Sequence, residues 1–255
     1  MFRCIPVFVL FLLVLGVSLS YGAGGFEYIS DANTLGLWHM NNDVVDSSPN
    51  KFDGAVEGKT AWGEEGWKKG GTPGKSFSFD GSTVINMGNQ KKLITPDAIT
   101  VEAWVYPTDL NGWHLICCNW GGADVGAFHL GCEGTIPKFH ITTDKGTGFA
   151  ASADALKVEQ WYHIAGTFDG NTIQIYVDGK ITGETKFSGK LIDNKMDVII
   201  GSKHSREYKW IGFLDEVKIS NIAKTADKLS ANLNGPASVS SIQSLTTTWG
   251  SVKDK

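Results

Sequence analysis

The sequence predicts an all-β fold of antiparallel strands, and three observations carry that prediction. Between residues 161 and 180 the chain reads WYHIAGTFDGNTIQIYVDGK. There Tyr162, Ile164 and Phe168 alternate with His163, Ala165 and Thr167, and Ile173, Ile175 and Val177 alternate with Thr172, Gln174 and Tyr176. Asp169-Gly170-Asn171 and Asp178-Gly179 interrupt the alternation, and such residues tolerate the positive φ of tight hairpin turns. The composition, 31 glycines against 7 prolines with 9 tryptophans, suits a turn-rich, aromatic-cored β protein. At 255 residues the chain is long enough for one such domain plus extensions. Strands of this pattern are expected to pack one side on a core and wet the other.

Taken in order, residues 1–22 read as a leader. Arg3 precedes the apolar run 5–17, and Ser20-Tyr21-Gly22 is a small-x-small cleavage site. The run is shorter than the roughly 20 residues a membrane span needs, so the mature chain is expected to be secreted, extracellular or periplasmic. Leu35 to Met40 is a short strand, and 41–54 (NNDVVDSSPNKFDG) a polar loop. Residues 55–74, with Trp62 and Trp67, read as a long irregular connection. Strands follow at 75–81, 84–87 and 99–106, the last closed by Pro107. Further strands are expected at 113–120, 127–132 and 138–143, the latter two paired across Glu133-Gly134-Thr135. Residues 150–156 lead into the hairpins, and 197–201 and 210–220 are the last strands. After Gly235-Pro236 the chain is rich in Ser and Thr to Lys255 and reads as a flexible tail. The expected organisation is a leader at 1–22, one domain at 23–235 and a tail at 236–255.

The segment W-Y-H-I-A-G-T-F-D-G followed by I-Y-V-D-G-K resembles the central hairpin of laminin-G-like, concanavalin A-like lectin/glucanase (jelly-roll) domains. Ile99-Thr100-Val101-Glu102-Ala103-Trp104-Val105 and the run from Gly212 to Ser220 agree with it, and the resemblance covers roughly residues 34–233. It implies an antiparallel two-sheet β-sandwich with a short C-terminal helix at 221–229, for which Thr225 is the N-cap. It also implies a non-catalytic recognition module that binds carbohydrate or glycoconjugate and holds a structural Ca2+. Adhesion to an extracellular protein is the alternative, and glycoside hydrolysis is third. Asp46, Ser47, Ser48, Asn50 and Gly54 resemble the family's early D-S-S-x-N-x-x-x-G loop, with Pro49 where Gly is common. The related pentraxins carry H-x-C-x-[ST]-W, but His163 to Phe168 has Ala165 for the Cys and Phe168 for the Trp, so their two-calcium site is not carried over.

Asp215 is the informative acid. In strict alternation it shares the apolar face of Ile211, Phe213, Val217 and Ile219, while Glu216 and Lys218 point to solvent. Glu216→Ala is then expected to be silent. A buried, unpartnered carboxylate costs several kcal/mol, so Asp215 must meet a cation or several donors. The resemblance implies that Asp46, Asn50 and Asp215 hold the calcium, and backbone or Trp N–H donors are the other choice.

Lys plus Arg is 23 and Asp plus Glu 27, a formal charge of −4 without any basic run. That balance argues against nucleic acid or anionic lipid as partner. No E-x-D-x-E string, G-x-S-x-G elbow or P-loop occurs, so no catalytic residue is expected. For ligand binding, His129 and His140 share one sheet face with Lys138 if their strands pair. Trp113 and Trp120 border Gly121-Gly122, and His204, Arg206 and Tyr208 sit in another loop. Either group could stack on a sugar ring and bond its hydroxyls, or the histidines could bond each other and the tryptophans fill the core. Outside the leader the cysteines are Cys117, Cys118 and Cys132. Cys117 and Cys118 face opposite ways on a strand, so only one can meet Cys132. The readings are a Cys117–Cys132 disulfide, its Cys118 variant, or small buried thiols.

Overall fold

The computed structural model describes residues 27–229 except 64–65, 67–73, 123–124 and 194. The leader, the tail and Trp67 lie outside the described residues. The strands are β1 (Thr34–Trp38), β2 (Ala55–Glu57), β3 (Trp62–Gly63), β4 (Ser76–Asp80), β5 (Val84–Asn86), β6 (Ile99–Pro107), β7 (Trp113–Gly122) and β8 (Val125–Glu133). They continue with β9 (Ile136–Thr143), β10 (Gly146–Ala151), β11 (Tyr162–Phe168), β12 (Thr172–Val177), β13 (Lys180–Lys186), β14 (Ile199–Ile200) and β15 (Ile211–Ser220). Alternation had located most of these. It missed β10, whose side chains are mostly small, and it read as irregular the stretch where β2 and β3 form short edge strands.

Two antiparallel sheets make a sandwich. One runs β13-β12-β11-β6-β15-β4-β3 with β1 also on β15, and the other runs β10-β9-β8-β7-β14-β5-β2. Ile99, Val101, Ala103, Val105, Ile164, Phe168, Ile173 and Ile175 from the first meet Phe128, Leu130, Phe139 and Ile141 from the second in one core. The period-two pattern of the sequence is the record of that contact.

β15 departs from simple alternation. Its register with β6 slips between Asp215 and Lys218, and Glu216 takes φ 52°. This bulge reverses which parity faces inward: Leu214 lies in the core before it, Val217 and Ile219 after it. The expected inner face of Ile211, Phe213 and Asp215 is therefore corrected. Phe213 packs on the outer side against Tyr106, with ring centroids 5.7 Å apart. The bulge also splits the strand's partners, since residues before it pair with β4 and residues after it pair with β1.

The outer side of the eight-stranded sheet is not wet, contrary to expectation. Asp215, Glu216 and Lys218 are all buried there. Glu216 accepts the Tyr28 N–H (2.8 Å) and pairs with His39 Nδ1 (2.9 Å), and Lys218 Nζ donates to Ile29 O (2.8 Å). Glu102 pairs with Lys224 and, at 3.3 Å, with His163. Burial alone would raise the Glu102 pKa, but the Lys224 charge and the His163 hydrogen bond outweigh it and hold the carboxyl at about 2. The segments 27–31 and 221–229 thus cover this sheet. The closing helix starts at Ala226, later than the expected 221, with Thr225 O accepting from Lys228 and Leu229 N–H.

The disulfide reading is corrected too. Cys117, Cys118 and Cys132 are free and buried. Cys117 stands opposite Leu130 and Cys132 opposite His114, so Cys117 and Cys132 are diagonal neighbours. Such pairs lie about 7–8 Å apart, beyond the usual Cα span of a disulfide. Burial pushes the Cys118 and Cys132 thiols up to about 12, which leaves them inert.

Candidate binding site

The outer side of the seven-stranded sheet is open, and strand register sets out its floor. Ile199, Cys118, His129, His140 and Phe149 stand side by side across β14, β7, β8, β9 and β10. The neighbours of His129 and His140 along their strands, Phe128, Leu130, Phe139 and Ile141, point into the core. The two imidazoles therefore project away from it. They stack at 4.0 Å between centroids and 22° between planes, and Phe149 stacks on His140 at 4.7 Å.

β7 supplies the walls. Trp113 and Trp120 are seven residues apart, and strict alternation would put them on opposite faces. A bulge at Ile116 prevents this, because Leu115 pairs with Gly131 while Cys117 pairs with Leu130. Ile116 and Cys117 then both enter the core, and Trp113, Leu115, Cys118 and Trp120 share the outer side. Trp120 lies 4.5 Å from His129, and Trp113 lies 6.0 Å from His129 and 5.7 Å from His140. Gly126 makes room for this, since a Cβ there would stand 2.6 Å from Trp120 Cδ1.

The loop from β14 to β15 adds Tyr208. It is tied to β7 at two points: Leu115 N–H donates to Tyr208 O (2.8 Å), and His204 N–H donates to Trp120 O (3.1 Å). The Tyr208 ring is nearly parallel to Trp120, with centroids 6.0 Å apart, and 5.9 Å from Trp113. Two ammonium groups rest on the rings. Lys138 Nζ is 5.4 Å from Trp113 and 5.1 Å from Phe149, while Lys203 Nζ is 5.3 Å from Trp120 and 4.6 Å from Tyr208.

These residues enclose a cavity of about 240 Å³ lined by Trp113, Trp120, Phe128, His129, His140, Thr142, Thr147 and Tyr208. All four residues singled out from the sequence for ligand binding line it. His129 Nε2 and His140 Nε2 are buried without a hydrogen-bond partner. Burial, with the neighbouring His140, drives the His129 pKa well below its ordinary value. Burial and then the Lys138 charge bring His140 down to about 4. At neutral pH the floor therefore carries two neutral imidazoles, each able to donate and accept. Phe149, Thr142, Thr147 and Lys203 were not foreseen. For Phe149, Thr142 and Thr147 the signal is pairing register, which alternation within one strand does not reveal, and for Lys203 it is the loop's ties to β7.

The expected calcium ligands are arranged otherwise. Asp46 is buried, and its Oδ1 accepts the N–H of Leu37 (2.9 Å) and Ser48 (2.8 Å). Its Oδ2 accepts the Ser48 hydroxyl (2.8 Å) and the Phe52 N–H (2.8 Å). Asn50 turns its amide N–H to Leu35 O (2.9 Å). Four donors already surround the Asp46 carboxylate, so its oxygens are hydrogen-bonded without an ion. Asp215 belongs to the outer side of the eight-stranded sheet opposite Trp104. Among the described residues no group of three or more His, Cys, Asp or Glu could hold a metal ion. Among the same residues no helix is long and apolar enough to cross a membrane.

A sequence model of the concanavalin A-like lectin/glucanases superfamily matches residues 79–230. No curated protein matches the chain. Among solved structures, domain 4 of AbnA, a GH43 extracellular arabinanase from Geobacillus stearothermophilus in complex with arabinotriose, is 17% identical at TM-score 0.59, over 78% of this chain and 98% of that one. The binding domain of Paraclostridial Mosquitocidal Protein 1 is 13% identical at TM-score 0.61, over 78% of this chain and 51% of that one. The binding domain of Botulinum Neurotoxin DC in complex with SialylT is 12% identical at TM-score 0.59, over 81% and 51%. The chain spans about half the length of the two toxin domains. At these identities the likeness is one of fold.

Proposed function

The chain belongs to the concanavalin A-like lectin/glucanases superfamily, and on that premise we propose that it is an exported, non-catalytic carbohydrate-recognition module. Its site is the cavity on the outer side of the seven-stranded sheet. The observation that carries this reading is the enclosure, by Trp113, Trp120 and Tyr208, of two neutral imidazoles whose Nε2 atoms have no hydrogen-bond partner. Sugars present apolar C–H faces and a rim of hydroxyls, so flat rings and groups that both donate and accept are the chemistry that holds them. The arabinotriose and SialylT complexes of two structural neighbours support a sugar as the ligand class. Among the described residues no carboxylate lines the cavity, and glycoside hydrolysis needs a pair across the scissile bond. The leader-like residues 1–22 support export.

A glycan array followed by calorimetric titration tests the reading. Trp120→Ala is expected to weaken sugar binding at least ~10-fold, about 1.4 kcal/mol, with the β7–β8 pairing intact by amide exchange. Silence on every glycan together with capture by an extracellular protein favours adhesion instead. Turnover of a polysaccharide would make the module an enzyme and overturn the proposal.

A further inference from the structure

Resting on that sugar site, we infer that its ligand is an acidic sugar, a pyranose bearing a carboxylate or sulfate beside the face that stacks. Among the described residues the charges at the cavity mouth are Lys138 and Lys203 with their partners Glu133 and Glu207, and the buried ones are positive. Lys138 and Lys203 each lie over two of the wall and floor rings, and their side chains are only 17% and 12% exposed. Their ion-pair partners, Glu133 and Glu207, are 47% and 63% exposed and reach in from solvent. An exposed carboxylate in such a pair contributes little, about 0–1 kcal/mol, so a ligand anion can take its place at small cost. The lysines cannot leave as cheaply, because leaving gives up both burial and the aromatic faces.

The Lys138 charge also reaches the floor, where it helps keep His140 neutral. A cationic ligand would meet two buried ammonium groups and, among the described residues, no lining carboxylate. The formal charge of the chain is −4, so the preference for an anion is local to this mouth.

The test titrates the full chain with matched probes. Trigalacturonate is set against galactotriose, sialyllactose against lactose, and a chondroitin sulfate tetrasaccharide against its desulfated form, at low and high salt. The expected result is that at least one acidic probe binds ~10-fold or more tightly than its neutral counterpart. The preferred probe tells carboxylate from sulfate. Salt should erode the preference, and a Lys138→Met, Lys203→Met double variant should bring the acidic-to-neutral ratio close to one, with the β7–β8 pairing intact by amide exchange. Equal, salt-insensitive binding of acidic and neutral sugars overturns this inference and leaves the sugar site standing. Binding of none of the probes or of any arrayed glycan removes the site reading and the inference together.

Discussion

Glu216 shows how far one backbone angle can move a side chain. Its φ of 52° places it in the bulge of β15, and the carboxylate that alternation sends to solvent is instead buried under residues 27–31. Burial pushes its pKa up against the pull of His39 and the Tyr28 N–H. Burial lowers the His39 pKa, but the bond to Glu216 outweighs this and leaves it raised. Removing one member of a buried pair typically costs about 3–5 kcal/mol, because the other is left uncompensated. Glu216→Ala is therefore expected to lose roughly that much stability in urea denaturation, where the sequence alone expects silence. A raised histidine contributes stability that is complete below its unfolded pKa, about 6.5, and is lost as pH rises through the folded value. The cost of Glu216→Ala should accordingly be larger at pH 6 than at pH 9. A cost below about 0.5 kcal/mol, the usual surface value, would show the side chain to be free.

At the scale of elements, what was legible in the sequence follows from where the bulges fall. β9, β11 and β12 keep an unbroken period along their core-facing residues, and β8 keeps it from Phe128 to Cys132, which is enough to set His129 and His140 on one face. β7 and β15 each insert a residue, which no count of apolar positions announces. That insertion joins Trp113 to Trp120 and moves Asp215 off the core. The loop at 41–54 was legible as a polar turn, but not in what satisfies it, because its donors come from Leu37 on β1 and from Ser48 and Phe52. Asp46→Ala would strand three N–H groups, each worth about 1–3 kcal/mol when buried and unpaired. A loss of at least ~3 kcal/mol is expected, equal in calcium and in chelator by thermal melts. A loss seen only with calcium would put a cation back at Asp46.

At the scale of the molecule the two outer sheet faces divide the work, one sealed by segments 27–31 and 221–229, the other carrying the cavity. Each holds groups whose ionisation sets how the fold meets acid. His129 and His140 are neutral when folded, with His140 at about 4. Between about pH 6.5 and 4 the unfolded chain takes up protons that the folded chain refuses, so stability falls as pH falls through that window. Glu102, held at about 2, adds a second loss below its unfolded pKa of 4.5 as pH falls further. His39 and Glu216, both raised when folded, run the other way, so a variant comparison rather than the bare slope isolates His140. His140→Phe keeps a ring stacked between His129 and Phe149 and removes one titrating group. Melting curves between pH 7 and 4.5 should fall less steeply for this variant, by roughly 2–4 °C, the shift that about 1 kcal/mol makes in a domain of this size. Parallel curves would mean that His140 takes up its proton as readily folded as unfolded, and that the floor of the cavity is cationic in mild acid.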